Sequence, residues 1–546
     1  MNLTPFRRKQ NEVYDVHRLM HEESAVASIT KVVLKGFKKF DHLKVEFESG
    51  LNILLGDNEA GKSTLLLAID LVLSASRSRV ESYGIESLFP IDAVEAFMSG
   101  QRKFIDLPKI EVEVFLTYSG NSDFNGNHND DGRECDGIKM VCEVPLESSK
   151  IVNDVLGEPS SVFPFEFYIP KFLTFAGHTY HSYRKHVAHL VLDSARIDSD
   201  YASREYTKSI FSANTDAIQR SRLESDYRQS KDEFKANKLG ALNADIVDFS
   251  FSVRTSSKSN LETDLRIIEG GVPLDLRGKG RQCQVKTDFA LAKRTSNKLD
   301  VLLLEEPENH LSHTSTRRLI EKLSSSSDRQ IICATHSSMI CSRLDLRKAI
   351  LLGRSHGATA MLKNLSQSSA LFFIKAPDNN VLEFALAKKV ILVEGDADFI
   401  LISALYQNHS DGATLESDGV HVISVGGTCF KSYMELAKLL GVRTAVIRDN
   451  DRHFHENCVE NYAGLVTEKC QVFSDPDESL YTFEVSIYAA NRLLCEELFA
   501  LGRRTLTPLE YMLGNKTDAA FELLEKYGSK LVAPTYIQEA IEWIRK

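Results

Sequence analysis

The sequence has no Cys-x-x-Cys pair among its nine cysteines, so neither a zinc ribbon nor a thioredoxin-like dithiol is indicated. It has no apolar run close to the roughly 20 residues that cross a bilayer. The stretch from Met1 to about Glu23 is polar and mixed in charge, without the apolar core of a secretory signal. Positive charge is not in excess. The formal net charge of -10 argues against a histone-like coating of nucleic acid and leaves room for a local basic groove. There is no internal repeat and no extended low-complexity tract. The expectation is a cytoplasmic protein with reduced, mostly buried thiols and no membrane association.

What is present is a chain of 546 residues, long enough for roughly two to four domains. Ile29 to Glu48 alternates as two strands, Leu51–Leu55 is a short apolar strand, and Thr64 to Ser74 reads as a helix. Ile110–Leu116 alternates as an antiparallel strand should, and Asn121 to Gly137, rich in Asn, Asp and Gly, predicts a mobile hairpin tip or loop. From Tyr183 to Asn243 the chain is polar, charged and free of proline, which predicts inserted helices. Such helices either pair with a second copy of themselves or stand as a solvated lobe. Val301–Leu304 and Gln330–Ala334 read as strands of a buried parallel sheet. A second αβ pattern runs through Val390–Val393, Val420–Val425 and Thr444–Ile447, with a boundary near Ala376–Asn380.

Two constellations carry chemistry. Gly56-x4-Gly61-Lys62-Ser63 lies between a strand and a helix, where glycines let backbone N–H groups approach phosphate oxygens. Lys62 supplies charge to the β and γ phosphates, Ser63 can hold Mg²⁺, and Asn58 and Thr64 complete the loop. The apolar strand Val301–Leu304 ends in Glu305-Glu306-Pro307-Glu308, acids suited to orienting Mg²⁺ and polarising a water, with Glu306 the candidate base. His336 ends the next strand, where it can meet a γ-phosphate. Gly278, Gly280 and Gln282 lie in a Gly-rich turn opening a helix, and Gln101 is a candidate Q-loop residue. In the second pattern, Glu394 and Asp398 follow one strand and Asp449 and Asp451 another. In extended chain the last two point the same way. Hard carboxylate oxygens with no nearby cysteine suit Mg²⁺ or Mn²⁺ rather than zinc.

The start Ile29-Thr-Lys-Val-Val-Leu-Lys-Gly-Phe-Lys-Lys-Phe40, the phosphate loop and Glu-Glu-Pro-Glu-Asn-His-Leu311 resemble the RecF/SMC-like branch of ABC ATPases, most of all the ATPase half of the OLD (overcoming lysogenization defect) family. Glu394-Gly-x-x-Asp398, Val425-Gly426-Gly427 and Asp449-x-Asp451 resemble a Toprim domain. The resemblance implies an α/β fold: an ABC-type P-loop ATPase with an inserted helical dimerisation region, then a Rossmann-like Toprim domain. It implies an N-terminal extension over 1–28, ATPase parts over 29–180 and 246–376, the insertion over 181–245, and a Toprim nuclease domain over 377–546. Glu305 and Glu306 become the Walker B pair, Gly278 to Gln282 the signature loop and His336 the switch. Glu484, in Tyr481-Thr-Phe-Glu484, becomes a ligand for a second metal beside Glu394, Asp398, Asp449 and Asp451. Lys516 stabilises charge on the scissile phosphate. The C-terminal Val532-Ala-Pro-Thr-Tyr-Ile segment is assigned packing. The implied activity is an ATP-binding, divalent-metal-dependent DNA endonuclease in anti-phage defence. Its implied assembly is a homodimer or higher homo-oligomer, alone or with a helicase or a retron reverse transcriptase and its nucleic acid. Two other readings stand beside it: a nucleotide-gated sensor whose Toprim-like half binds nucleic acid or a partner, and a topoisomerase, which needs a positioned tyrosine.

Overall fold

The computed structural model describes residues 27–546, apart from 119, 159–160, 182–186, 195–203, 205–206, 209, 212–214, 216, 245–249, 255–259, 292–298, 327, 356–357, 377–379, 428 and 501–505. The N-terminal stretch 1–26 and part of the expected insertion therefore lie outside the described residues. The chain divides into two compact units, one of residues up to 336 with 350–359, the other of 337–349 with 360–546. The boundary expected near Ala376–Asn380 falls on residues 377–379, outside the described set.

The strands of the first unit are β1 (Ile29–Phe37), β2 (Phe40–Glu46), β3 (Leu51–Leu55), β4 (Ile110–Leu116), β5 (Cys135–Glu143), β6 (Ile169–Thr174), β7 (His189–Asp193), β8 (Val301–Glu305), β9 (Gln330–Ala334) and β10 (Ala349–Ser355). They form two sheets. One is antiparallel, in the order β2-β1-β4-β5-β6. The other runs β10-β3-β9-β8-β7, with β3, β9, β8 and β7 mutually parallel. Every residue of β3 and β9 is buried, as expected where helices or a second sheet cover both faces. One side chain joins the sheets: Gln330 accepts from the Ile29 amide at 2.8 Å and donates to the Ile29 and Glu48 carbonyls at 2.7 and 2.8 Å.

Two expectations need correction. Residues 189–193 are a strand, not part of a helical insertion: His189–Asp193 pairs in register with Val301–Glu305. The apolar run Leu190-Val-Leu192 is short and flanked by charge, so its periodicity is masked. Helix follows later, as α2 over Ala217–Phe234, a strongly polar segment on which Ile218 and Phe234 stand exposed. Nor is Asn121–Gly137 a free tip. Asn125–Gly126 pairs with the start of β5. Asp130 meets Lys35 at 2.9 Å, Asp131 meets Lys44 at 2.9 Å and also Lys31, and the Asp130 amide donates to buried Glu113 at 2.8 Å. The acids that make this loop polar also anchor it.

The second unit is a four-stranded parallel sheet of β11 (Lys389–Val393), β12 (Val420–Ser424), β13 (Arg443–Ile447) and β14 (Cys470–Phe473), ordered β12-β11-β13-β14. Helices α4 (Asp396–His409), α5 (Phe430–Leu440), α6 (Phe483–Ala490), α7 (Lys516–Tyr527) and α8 (Thr535–Arg545) accompany it. Its core joins β11 and β13 to α4, α6, α7 and α8, through Leu401, Tyr406, Ile487, Leu523, Ile537 and Ile541. Helices α1 (Lys62–Ser74) and α3 (Lys279–Leu291) belong to the first unit. None of the nine cysteines is in a disulfide, and seven of them are buried. Among the described residues no helix is long and apolar enough to cross a membrane.

Candidate functional site

In the first unit, β3 runs out at Leu55 and the chain loops back through Gly56–Gly61 into α1. A Cβ on Gly56 would lie 2.6 Å from the Ala60 Cβ and 3.0 Å from the Leu352 carbonyl oxygen. Gly61 caps α1 at φ 99°, and a Cβ there would lie 2.3 Å from the Phe40 ring. Both conditions forbid a side chain at Gly61. Gly61→Ala is therefore expected to lower the melting temperature by several degrees and to weaken nucleotide binding by at least about tenfold, read by calorimetry and a fluorescent nucleotide. Lys62 turns back onto the Gly56 and Asp57 carbonyls at 2.8 and 3.0 Å. Burial pushes its ammonium down to about 8, against the pull of Glu306, Asp57 and Glu305. A cation so stripped of water is a strong receptor for phosphate. Ser63 and Asn58 are exposed at the mouth of the loop and Thr64 is half-buried.

The parallel register sets the acids beside this loop. Glu305 ends β8 opposite Ala334 of β9. Glu306 turns with φ 44°, its amide on the Ala334 carbonyl at 2.8 Å. Its carboxylate accepts from Asn309 at 2.6 Å and lies 3.7 Å from Nε2 of His336. Burial, then Lys62, hold the His336 imidazole below its ordinary pKa, which favours the neutral ring. Glu308 completes the arrangement and is not identified by sequence reasoning. One of its oxygens accepts from the Thr335 hydroxyl and, at 3.3 Å, from the His336 amide; the other is buried without a partner among the described residues. The signal was available in the acid two residues past Glu306. The turn at Gly278–Gln282 packs on the same corner, since a Cβ on Gly280 would meet the His310 carbonyl oxygen at 2.3 Å. Gln282 is buried and donates back to the Asp275 and Arg277 carbonyls. Gln101 stands apart in an exposed turn after the helix Ile91–Ser99.

In the second unit the chemistry gathers at the carboxyl ends of β11 and β13, where ligands of open parallel sheets collect. The register pairs Leu392 with Val446, which brings Glu394 beside Arg448. Glu394 ion-pairs with Arg448, whose other nitrogen meets Asp451 at 2.8 Å. Asp398 caps the start of α4, accepting from the Gly395 amide at 3.0 Å. Gly426 and Gly427 after β12 take φ 66° and 103°, and the Gly427 amide closes onto the Glu394 carbonyl at 2.9 Å. Glu484, buried in the first turn of α6, accepts from Lys516, the first residue of α7, at 2.9 Å. Asp449 feels Asp398, Glu394, Glu484 and Lys516 together. Burial, then Asp398, Glu394 and Glu484, push Asp449 up to about 8 against the pull of Lys516, and burial with Glu484 and Glu394 pushes Asp398 up to about 7. Burial works against the Lys516 ammonium, but Glu484, Asp449 and Asp398 outweigh it and hold the pKa above its usual value.

Asp449 and Asp451 do not point the same way. Asp451 and Arg452 take left-handed φ of 50° and 67°, which turns Asp451 outward while Asp449 faces the acids. Between them, buried Asn450 donates to the Asp475 and Asp477 carbonyls at 2.9 and 3.0 Å and to Leu480 at 3.3 Å. Arg448, Asn450 and Tyr536 escape sequence reasoning. Tyr536, in the C-terminal segment assigned to packing, is buried, with its phenol held far up by burial and by Asp449 and Asp398. Enclosed in this way, it is no nucleophile for a topoisomerase.

As placed, no three described acids converge closely enough to ligate one ion. The donor set fits a hard divalent cation all the same: oxygen ligands only, and carboxyls crowded enough to be forced toward their neutral forms.

A family model described as "AAA domain" matches residues 31–330. A second, described as "Overcoming lysogenization defect protein-like, TOPRIM domain", matches residues 386–451. The chain belongs to the AAA-domain family, in the OLD-like form that carries a Toprim domain. An AAA–Toprim chain of this kind implies use of a nucleotide and of a divalent metal. It is 25% identical over 166 residues to Endonuclease GajA of Bacillus cereus (strain VD045), covering 30% of this chain and 28% of that protein. It is 23% identical over 216 residues to Old nuclease of Escherichia phage P2, covering 37% of this chain and 36% of that one. The AAA–Toprim chain thus aligns with about a third of the length of these curated relatives. A solved structure of the C-terminal region of the Xanthomonas campestris pv. campestris OLD protein matches at 23% identity and a TM-score of 0.22, over 29% of this chain and 94% of that one.

Proposed function

We propose that this chain is a nucleotide-controlled, divalent-metal-dependent DNA endonuclease whose cutting centre is the acid cluster of the second unit. The observation that carries the reading is the crowding of Glu394, Asp398 and Glu484 around Asp449, with Lys516 on Glu484, at the carboxyl edge of a parallel sheet. Asp398, Asp449 and Glu484, with Glu394 and Asp451 at the rim, are the residues to hold Mg²⁺ or Mn²⁺. A divalent ion there would supply Lewis-acid activation of water against a phosphodiester. Lys516, about half exposed, would leave Glu484 for a non-bridging oxygen of the scissile phosphate. In the first unit Lys62 and the loop amides would hold the ATP phosphates, Ser63 and Glu305 the Mg²⁺, and Glu306 would orient the attacking water, with His336 sensing the γ-phosphate. Gly278, Gly280 and Gln282 would contact a nucleotide from a second copy, in a homodimer joined through the first unit. The names of the two curated relatives support the reaction class, and a role in anti-phage defence extends the same likeness.

The test is nicking of supercoiled plasmid by the full chain with Mg²⁺ or Mn²⁺, under no nucleotide, ATP and a non-hydrolysable analogue. Metal-dependent nicked or linear product is expected. No product with any metal, with nucleotide binding intact, would favour the sensor reading instead. Glu306→Gln is expected to keep ATP binding and to slow hydrolysis by about a hundredfold, in the range lost with a general base. Unchanged hydrolysis would remove Glu306 from that role.

A further inference from the structure

The five acids of this site are not equivalent, because two different cations divide them. Lys516 sits on Glu484 with a side chain 49% exposed, on the first residue of a helix. Arg448 is its opposite. Its side chain is 6% exposed, its backbone amide is fixed on the Phe473 carbonyl at 3.0 Å, and its Nε is buried with no partner among the described residues. Tyr462 beside it is itself buried. The remaining two nitrogens bind Glu394 and Asp451. A guanidinium does not lose its proton in a protein, and withdrawing it would leave a buried charge uncompensated.

We propose that Arg448 is a permanent, protein-borne cation of this cluster that stands in for a second ion. Glu394 and Asp451 are committed to it, and the site takes one divalent ion per chain, for which Asp398, Asp449 and Glu484 remain and around which they would have to close from their present placement. The inference rests on the metal-site reading above, and it differs from a two-ion centre in stoichiometry alone.

Mn²⁺ binding to the nucleotide-free full chain decides it, counted by the loss of the free-ion electron paramagnetic resonance signal, with Asp449→Ala giving the background from the rest of the molecule. One Mn²⁺ per chain above background is expected in the parent and in Arg448→Lys, and two in Arg448→Ala, where Glu394 and Asp451 are released. Two ions in the parent overturn the proposal and leave the nuclease reading standing, and this arm does not depend on any variant folding. One ion in a folded Arg448→Ala overturns it as well. No Mn²⁺ in the parent above background overturns the proposal and the metal site together.

Discussion

Replacing Asp449 with asparagine is expected to abolish DNA cleavage and, in the same molecule, to raise the melting temperature of the metal-free protein at pH 8. The loss of cutting should be at least about a hundredfold, since disturbing even an outer partner of a metal ligand costs roughly 10- to 100-fold. The gain in stability follows from the crowding. Asp449 titrates near 8 in the folded protein, through burial and the charges of Asp398, Glu394 and Glu484, against about 3.9 in an unfolded chain. Between those values the folded state binds more protons than the unfolded one, so the contribution of this group to stability falls as pH rises from about 4 to about 8. Asparagine keeps the shape and carries no charge. The variant should melt several degrees above the parent at pH 8 and close to it at pH 4, in chelator, by calorimetry. Equal cutting would remove Asp449 from the reaction. An equal melting temperature at pH 8 would mean that the acids are not crowded as described.

Replacing Lys62 with alanine is the second large effect. Its ammonium is buried, bonded to the Gly56 and Asp57 carbonyls, and pushed down to about 8 by burial. Removing a preorganised charge of this kind from developing phosphate charge costs about 10²- to 10³-fold in rate. Lys62→Ala should lose ATP hydrolysis on that scale and lose most nucleotide affinity. Metal-dependent nicking without nucleotide should persist, and whatever difference ATP makes to the parent should vanish. If Lys62→Ala still shows the effect of ATP on cutting, control does not pass through this loop.

The strands and both sites could be read in the sequence where short-range pattern dictates them. Gly56 to Ser63 is a loop whose residue types are fixed by backbone approach, so it announces itself. Glu394 and Asp449 stand out because each follows a strand of obvious periodicity, whereas Glu484 is singled out only by the resemblance of Tyr481-Thr-Phe-Glu484 to the family's segment. What stayed hidden depends on register and on side chains meeting across the sheet. Arg448 looks like any strand-end arginine until β13 is laid beside β11, when it falls next to Glu394. Glu308 looks like a solvated acid until β9 places Thr335 and His336 against it. The strand His189–Asp193 is too short and too flanked by charge to be distinguished from a polar insertion, and only its partner Val301–Glu305 defines it. Asp451 was misjudged for a local reason. The left-handed turn at Asp451–Arg452 breaks the two-residue alternation on which the argument relied.

Asn450 sets a geometry that neither the sheet nor the helices determine. Its amide grips the main chain at Asp475, Asp477 and Leu480, a few residues before Glu484. The gap between the acid at the end of β13 and the acid that opens α6 is therefore measured out by a loop, as by the screw of a calliper. Lengthening or shortening residues 475–480 by one would reset the opening of the jaws while leaving β13 and α6, which bear them, untouched. That loop is the part through which the spacing of the two acids can change without redesigning the fold.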